Sequence, residues 1–322
     1  MDTKEFRIIF MGTPDFAVES LKALINNHFN VVGVVTNPDK PAGRGQKLQE
    51  SAVKKYAKNK EIPILQPVNL KDEFFISELQ NLKPSLQIVV AFKILPPEVF
   101  NLPDYGTFNL HASLLPDYRG AAPINHAIIN GETKTGVTTF FLDEKVDTGK
   151  IIDRKEVDIS SDDTAGSLHD KLMVAGSQLV VKTVNKIIEN TYQIIDQQEL
   201  IKDIDQVKKA PKIFKKDCKI NWNKPVQKVH NFIRGLSPYP SAWTNLVNEN
   251  KKQQVKIFLS RPLPLEHRET IGNIKSDGKS SLQVACRDGY IDIKELQLAG
   301  KKKMKTSELL RGLRDINKYR FE

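Results

Sequence analysis

Asparagine and histidine stand two residues apart at the start of the stretch NLHASLLPDYRGAAPINHA, residues 109–127, where an apolar run ends. Side chains at i and i+2 of a β-strand share one face, so Asn109 and His111 are predicted to point in the same direction. In open α/β sheets, ligands bind at the carboxyl ends of the strands. The spacing fits a reactive pair, and it also fits a polar pair that only ends a strand.

A third polar group follows in DEKVDTGKII, where Asp147 lies in a glycine-containing turn before another apolar run. An amide can donate to a developing oxyanion, an imidazole can accept a proton near neutral pH, and a carboxylate can orient that imidazole. No nucleophile accompanies these groups, because Ser113 lacks the G-x-S-x-G context and neither cysteine is near. Asn109, His111 and Asp147 therefore indicate a transfer in which a substrate amine attacks directly.

Short apolar runs that alternate with helical patterns must position these three residues. The predicted buried strands are Phe6–Gly12, Val31–Val35, Ile62–Leu65, Leu86–Ala91, Thr107–Leu110 and Val137–Leu142. A long helix is predicted from Thr164 to about Glu189. This alternation is typical of an α/β fold with a doubly wound, mostly parallel, Rossmann-like sheet.

Past about Lys212 the pattern changes to short β-like pieces separated by Pro, Gly, Asn and Asp, with the helical piece PVQKVHNFIRGL among them. Such pieces predict a small barrel or sandwich. We therefore predict two domains, residues 1–195 and residues 212–322, joined by an extended connection at residues 196–211.

Charge divides the chain in a similar way. Residues 206–322 carry 26 Lys and Arg against 11 Asp and Glu, a net charge of +15, whereas residues 1–205 carry a net charge of −5. A strongly basic region suits a polyanion such as nucleic acid, although a solvated lysine-rich surface has the same composition. Thr36–Lys47 is predicted to be a long functional loop, because it holds two prolines, two glycines and three basic residues.

Several protein classes do not fit the sequence. Only Gly12 follows the first strand where a dinucleotide site carries G-x-G-x-x-G, so no nicotinamide cofactor is expected. Cys218 and Cys286 lack metal-ligand spacing, so no metal is expected and both cysteines are read as structural. The chain has no long apolar run and no signal-peptide pattern at its N-terminus, so we expect a cytoplasmic protein without a membrane partner.

The run NLHASLLPDYRGAAPINHAIINGETKTGVT, followed by DTG, closely resembles the signature of the folate-dependent formyltransferases. GTPDFA, NPDKPAGRGQK and SPYPSAW resemble the branch of that family that acts on a charged tRNA. The resemblance covers nearly the whole chain and implies transfer of the formyl group of 10-formyltetrahydrofolate to the α-amine of initiator methionyl-tRNA. It also implies that the basic C-terminal region is a smaller OB-like β-barrel that helps to hold tRNA.

The resemblance assigns roles to particular positions. It places the catalytic groups at Asn109, His111 and Asp147. It places the contact with the tetrahydrofolate cosubstrate at Ser113, Leu114, Leu115 and Pro116. It places the tRNA-facing loop at Lys40–Lys47, with contacts from Lys40, Arg44 and Lys47. We expect a monomer.

Two other functions remain open at this point. The first alternative is a folate-dependent formyltransferase that acts on a small amine, such as a glycinamide ribonucleotide or an amino sugar. The second is a nucleic-acid-binding protein without catalysis, which explains the charge but leaves Asn109, His111 and Asp147 without a role. The basic loop and the net charge of residues 206–322 favour the tRNA-directed enzyme.

Overall fold

A computed structural model describes residues 5–42, 47–249, 251–313 and 315–322. Contacts divide the chain into two compact units. The catalytic-sheet unit comprises residues 1–120, 134–158 and 169–209. The C-terminal unit comprises residues 121–133, 159–168 and 210–322. The predicted boundaries at 195 and 212 stay a prediction, and the C-terminal unit includes two segments from the first 195 residues.

The catalytic-sheet unit contains a seven-stranded sheet and a separate pair of short strands. In chain order its strands are β1 (Arg7–Gly12), β2 (Asn30–Val35), β3 (Lys40–Ala42), β4 (Lys47–Gln49), β5 (Ile64–Leu65), β6 (Leu86–Val90), β7 (Thr107–His111), β8 (Lys134–Phe141) and β9 (Ile151–Asp158). The main sheet has the order β5-β2-β1-β6-β7-β8-β9, and β3 and β4 form a separate pair. Neighbouring strands in the part of the sheet that runs β5-β2-β1-β6-β7 pair in parallel. The β7–β8 and β8–β9 pairs are antiparallel. The predicted doubly wound, mostly parallel sheet is confirmed.

Apolar side chains explain why these segments form a buried sheet. All five residues of β6 are buried, as expected for a central parallel strand covered on both faces. Leu110 of β7 packs against the long helix α6 (Ala165–Ile188). A Cβ on Gly176 of that helix would lie 2.7 Å from the Leu110 Cδ2 atom, so glycine permits the close approach. Asn109 and His111 alternate with Leu110 along β7 and therefore lie on the opposite face.

The remaining helices connect the strands or belong to the C-terminal unit. In chain order they are α1 (Asp15–Asn26), α2 (Ala52–Asn59), α3 (Glu73–Asn81), α4 (Pro97–Phe100), α5 (Pro123–Asn130), α7 (Val226–Gly235) and α8 (Thr306–Gly312). Pro14 caps α1 rather than starting it, which suits a residue that lacks an N–H group. No helix among the described residues is long and apolar enough to span a membrane.

The C-terminal unit carries an antiparallel sheet. Its strands are β10 (Ala242–Asn248), β11 (Lys251–Pro264), β12 (Ile274–Ser276), β13 (Leu282–Cys286), β14 (Gly289–Leu298), β15 (Met304–Lys305) and β16 (Arg320–Phe321). The order is β12-β13-β14-β11-β10-β16, and β15 pairs with β14. The Phe321 amide donates to the Gly272 carbonyl at 2.9 Å, which brings the two ends of the sheet together. The sheet is thus nearly closed, in agreement with the predicted OB-like barrel.

Both cysteines lie in the core of this C-terminal unit, where they are buried free thiols. Burial raises the pKa of Cys286 to about 12. A thiol that is buried and holds its proton this firmly is unreactive, which agrees with a structural role.

Candidate active site

Asn109 and His111 lie at the carboxyl end of β7, where the sheet changes from parallel to antiparallel pairing. Asn109 pairs in register with Val89 of β6 and Phe140 of β8, and His111 pairs with Thr138 of β8. Asn109 is half-buried, and its side chain has no hydrogen-bond partner among the described residues. Its amide is therefore available to a bound molecule.

The His111 ring is buried, with 7% of its surface exposed, and a backbone carbonyl holds it in place. Its Nε2 atom lies 2.9 Å from the carbonyl oxygen of Tyr118, which can only accept a hydrogen bond. The proton of the neutral ring therefore lies on Nε2, and Nδ1 carries a lone pair. The Nδ1 atom faces the Asp147 Oδ2 atom at 3.9 Å, which is ion-pair distance for a protonated ring.

Asp147 lies in the turn between β8 and β9 with a φ of 57°, a left-handed conformation that Asp tolerates better than most residues. Its side chain is 13% exposed. Its Oδ2 atom accepts a hydrogen bond from the Gly120 amide at 2.9 Å. The carboxylate is thus tied to the segment that follows His111, and it lies at ion-pair distance from the ring. The structure brings Asn109, His111 and Asp147 to one edge of the sheet.

Sequence reasoning missed two residues here. Tyr118, rather than Asp147, makes the hydrogen bond that orients the His111 ring. Gln197 contacts both the segment after His111 and the Asp147 turn. A carbonyl contact leaves no sequence signal, and Gln197 lies within the segment 196–211, which was predicted as an extended connection between domains.

Arg119 adds a positive charge beside these groups. Burial lowers the pKa of its guanidinium, and the nearby Asp147 carboxylate partly opposes that effect. The guanidinium remains charged, because an arginine pKa starts far above neutrality.

The segment Ser113–Pro116 leads into a turn beside the site, in which the Asp117 amide donates to the Leu114 carbonyl at 3.1 Å. Ser113 and Leu115 are fully buried: the Ser113 hydroxyl donates to the Asp117 carbonyl, and Leu115 packs against Phe140 and Ile151. Leu114 and Pro116 are partly exposed. A bound molecule could meet the side chains of Leu114 and Pro116, whereas those of Ser113 and Leu115 support the turn.

The predicted basic loop is partly a hairpin. Lys40, exposed at the start of β3, pairs in register with Gln49, and Lys47 of β4 pairs with Ala42. The composition of this segment predicted a loop, but its two ends pair as the antiparallel strands β3 and β4. The predicted contact Arg44 lies outside the described residues.

A cavity of about 690 Å³ lies beside this hairpin. It opens where β1 and β2 end and where α1 and α2 begin, and its lining residues include Thr13, Asn37, Lys40 and Tyr56. The lining does not include the three candidate catalytic residues. The carboxyl edge of the sheet therefore has a concave surface next to the basic hairpin.

Models of known protein families match most of the chain. The sequence model described as "Formyl transferase" matches residues 6–184, and the model of the formyl transferase C-terminal domain matches residues 212–314. The chain belongs to the formyl transferase family. The candidate residues Asn109, His111 and Asp147 lie within the first match, and most of the basic region lies within the second.

Curated formyl transferase relatives match the chain along nearly its full length. The methionyl-tRNA formyltransferase of Parabacteroides distasonis is 52% identical, with 99% of each chain covered. That of Bacteroides thetaiotaomicron is 52% identical over 100% of each chain. That of Flavobacterium johnsoniae is 52% identical over 96% of this chain and 97% of the relative.

Solved structures share the fold. An N-formyltransferase from Helicobacter canadensis, solved with folinic acid and dTDP-3-aminofucose, superposes with a TM-score of 0.65 at 26% identity. The match covers 92% of this chain and 99% of that chain. HypX from Aquifex aeolicus, solved with tetrahydrofolic acid, has a TM-score of 0.62 at 16% identity over 94% of this chain and 46% of its own, a likeness of fold alone.

Proposed function

We propose that the chain transfers the formyl group of 10-formyltetrahydrofolate to the α-amine of methionine on initiator methionyl-tRNA, for translation initiation. The observation that carries the proposal is the arrangement of Asn109, His111 and Asp147 at the end of β7. It occurs in a chain that is 52% identical, over its full length, to a protein named methionyl-tRNA formyltransferase. Direct attack by the methionyl amine needs no nucleophile from the protein, which agrees with the groups present.

Asn109 has the role of hydrogen-bond donor to the formyl oxygen as that oxygen gains negative charge. Its amide is free of partners among the described residues, so binding the substrate breaks no protein hydrogen bond. A donor that is already held in place stabilises the developing charge more strongly than mobile water does. Loss of such a donor typically lowers turnover by about 10²–10³.

His111 has the role of proton acceptor, and Asp147 stabilises the charge that results. The Tyr118 carbonyl fixes the proton on Nε2, so the Nδ1 lone pair is available to the attacking amine. An α-amine with a pKa near 7.7 is partly unprotonated at neutral pH and can attack. Once Nδ1 has accepted the proton from the amine, the Asp147 carboxylate at 3.9 Å attracts the charged ring. The ring then returns this proton to N10 of the cosubstrate as the bond between N10 and the formyl carbon breaks, and tetrahydrofolate leaves.

10-Formyltetrahydrofolate supplies the formyl carbon, and the side chains beside the site suit its flat ring system. Ile94 follows β6 and is 74% exposed, and Val146 precedes Asp147 and is 52% exposed. Exposed aliphatic side chains on loops that flank the reactive groups favour a mainly apolar ligand surface. Leu114 and Pro116 extend this surface, and Ser113 and Leu115 contribute through the backbone of the turn they support.

The basic hairpin and the C-terminal unit have the role of holding the tRNA. The tRNA acceptor end is proposed to contact Lys40, Arg44 and Lys47. A lysine attracts phosphate, and an arginine can also make two parallel hydrogen bonds to a base edge. The net charge of +15 in residues 206–322 supplies further attraction to phosphates. We further propose that the enzyme acts as a monomer in the cytoplasm.

Formyl transfer from 10-formyltetrahydrofolate tests the function. The acceptors compared are charged initiator tRNA, free methionine and an amino-sugar nucleotide of the kind bound by the Helicobacter canadensis enzyme. We expect transfer to the charged tRNA only, and a loss of that transfer in His111→Ala. Equal or faster transfer to the amino sugar would instead favour the small-amine alternative, and absence of transfer to every acceptor would reject a formyl transferase activity.

A further inference from the structure

Gln197 is a buried glutamine whose side-chain amide is fully used. It begins a short 3-10 helix at Gln197–Leu200 and is 1% exposed. Its Oε1 atom accepts two hydrogen bonds from the Arg119 guanidinium, from Nε at 3.0 Å and from Nη2 at 2.6 Å. Its Nε2 atom donates to the Asp147 carbonyl at 3.0 Å and to the Gly149 carbonyl at 2.8 Å.

The partners of Gln197 belong to the two loops that carry the candidate catalytic groups. Arg119 lies between Tyr118, whose carbonyl orients His111, and Gly120, whose amide donates to the Asp147 carboxylate. The Asp147 and Gly149 carbonyls belong to the turn between β8 and β9. One amide therefore joins the loop after β7 to the loop after β8.

The Asp147 turn is also confined on its other side. A Cβ atom on Gly149 would lie 1.8 Å from the Phe141 carbonyl oxygen, so the turn packs directly against the backbone of β8. With β8 on one side and the Gln197 amide on the other, the turn has little freedom to shift. The distance between His111 Nδ1 and Asp147 Oδ2 depends on both supports.

We propose that Gln197 is a positioning residue for the formyl transfer, and that its amide sets the His111–Asp147 separation by holding both loops at once. The effect on turnover rests on the proposed function, whereas the effect on loop geometry does not. Gln197 touches neither substrate nor reacting atoms and acts through Asp147 and the loop of His111. The segment predicted as a connection at 196–211 is thereby part of the catalytic machinery.

Glutamine has a property here that glutamate lacks. A glutamate keeps the shape and can still accept from Arg119, but it has no N–H to donate. Its second oxygen would face the Asp147 and Gly149 carbonyls, which would lose their donors and repel the carboxylate. Gln197→Glu should therefore release the Asp147 turn while keeping the contact with Arg119.

Gln198 provides a matched control. It is the next residue in the same 3-10 helix and is exposed, so Gln198→Glu introduces the same charge one residue away without changing the bridge. We expect Gln197→Glu to lower kcat by about 10-fold to 10²-fold, the range expected when reacting groups shift by about 1 Å. The KM values for tRNA and for the folate should change less than about threefold, and Gln198→Glu should match the unaltered chain.

A double substitution separates positioning from general destabilisation. In an Asp147→Asn background, the carboxylate that Gln197 positions is already gone, so adding Gln197→Glu should lower kcat much less than it does alone. A further loss as large as that of the single variant would overturn the proposal. So would an unchanged kcat in folded Gln197→Glu.

Hydrogen exchange at the Gly120 amide tests the geometry without any activity. In protein labelled with ¹⁵N-glycine, we expect Gln197→Glu to speed exchange of this amide, because the Asp147 carboxylate that accepts from it has moved. Gln198→Glu should leave the exchange unchanged, and unchanged exchange in Gln197→Glu would overturn the proposal. If the unaltered chain did not formylate tRNA, the proposed function would fail, and the exchange result would still decide the role of Gln197.

Arg119→Lys is the second variant should Gln197→Glu fail to fold. Lysine keeps the positive charge but cannot make the two-pronged contact with Gln197 Oε1. It should loosen the bridge from the other end, with the same direction of change in kcat and in Gly120 exchange. Wild-type values for both would overturn the proposal.

Discussion

The two regions of the molecule differ in how their charged groups are arranged. The carboxyl edge of the catalytic sheet holds a few groups in fixed positions, whereas the lysine-rich C-terminal region spreads many charges over its surface. At the sheet edge, each ring nitrogen of His111 and the Oδ2 atom of Asp147 faces an identifiable group. In residues 206–322, a net charge of +15 is spread over many side chains, most of them lysines. Bond-making chemistry depends on a few atoms held in place, whereas phosphate attraction adds many small and interchangeable contributions. Single substitutions should therefore be severe in the first region and mild in the second.

The largest effects are expected at Asn109 and His111. Asn109→Ala removes the proposed donor to the formyl oxygen, and His111→Ala removes the proposed proton acceptor. Each should lower kcat by at least about 10²-fold and leave tRNA affinity nearly unchanged. Steady-state formylation and a direct tRNA-binding assay, carried out on the same preparations, measure the two quantities separately.

A near-normal kcat in either variant would remove that residue from the mechanism. A parallel loss of tRNA affinity would contradict the separation between the two regions. His126→Ala is a suitable control, because this histidine belongs to the C-terminal unit and bonds the Pro211 carbonyl. It should keep full turnover.

Asp147→Asn is expected to have the next largest effect, a loss in kcat of about 10-fold to 10²-fold. Asparagine tolerates the left-handed φ of 57° and can still accept from the Gly120 amide, so the turn should persist. Only the charge that stabilises protonated His111 is lost. Thermal unfolding should match the unaltered chain, and unfolding of Asp147→Asn would mean that the residue is a structural element of the turn.

The fold, and the placement of the three candidate residues at one edge of the sheet, could be predicted because each has a local sequence signal. Apolar runs such as the one in β6 identify buried strands, and the spacing of Asn109 and His111 places both on one face. Asp147 stands out as a polar residue in a glycine-containing turn. The motif resemblance then connected these positions to a known chemistry.

Contacts between distant segments could not be predicted in this way. Tyr118 acts through a backbone carbonyl, which any residue would supply. The bridge from Gln197 to Arg119 joins positions 78 residues apart and has no periodic pattern. The pairing of β3 with β4 depends on register rather than composition, because a segment rich in Pro and Gly has weak strand propensity.

The division of the chain into two units could not be predicted from the order of the elements along the sequence. Residues 121–133 and 159–168 belong to the C-terminal unit. Within that unit the Asn125 amide donates to the Gly235 carbonyl at 2.7 Å, and Arg234 donates to the Asp163 carbonyl at 2.9 Å. A truncation near Asp196 would remove these partners and expose the segments. Substitutions in the full chain are therefore the better way to separate catalysis from tRNA binding.

A third prediction concerns pH and the stability of the C-terminal unit. His230 of α7 is buried, and its Nδ1 atom lies 3.1 Å from the Ser260 hydroxyl. Burial, together with the charge of Arg234 and against a smaller opposing effect of Asp162, lowers the pKa of His230 to about 4. The unfolded chain binds this proton near pH 6.5, so unfolding becomes easier as pH falls from about 6.5 to about 4. The full contribution, on the order of 3 kcal/mol, is present only above that range.

Tryptophan fluorescence can follow this effect in one unit, since both tryptophans, Trp222 and Trp243, lie in the C-terminal unit. Urea unfolding at pH 7.5 and at pH 5 should give a lower midpoint at pH 5. His230→Gln should flatten this pH dependence, whereas His28→Asn, at an exposed histidine of the catalytic-sheet unit, should keep it. An unchanged pH dependence in His230→Gln would show that another group is responsible.

The smallest effect is expected from lysines of the C-terminal region. Lys301 and Lys302 are exposed in the turn between β14 and β15, and neither side chain has an ion pair among the described residues. If both attract phosphates, Lys301→Gln with Lys302→Gln should weaken tRNA binding only severalfold. The slope of log affinity against log salt should become shallower by up to about 1.4–1.8, since each neutralised phosphate contributes about 0.7–0.9.

The matched control is Lys60→Gln with Lys71→Gln, which removes two exposed charges from the catalytic-sheet unit. If location matters, this pair should leave the salt slope unchanged, because its lysines are not part of the basic region. An equal change of slope in both pairs would mean that only the total charge of the chain attracts tRNA. At saturating tRNA, kcat should stay normal in both pairs, since neither alters the groups that hold His111 and Asp147. A fall in kcat for the Lys301 and Lys302 pair would show that these lysines also position the methionyl end, and the contrast between precise chemistry and distributed attraction would no longer hold.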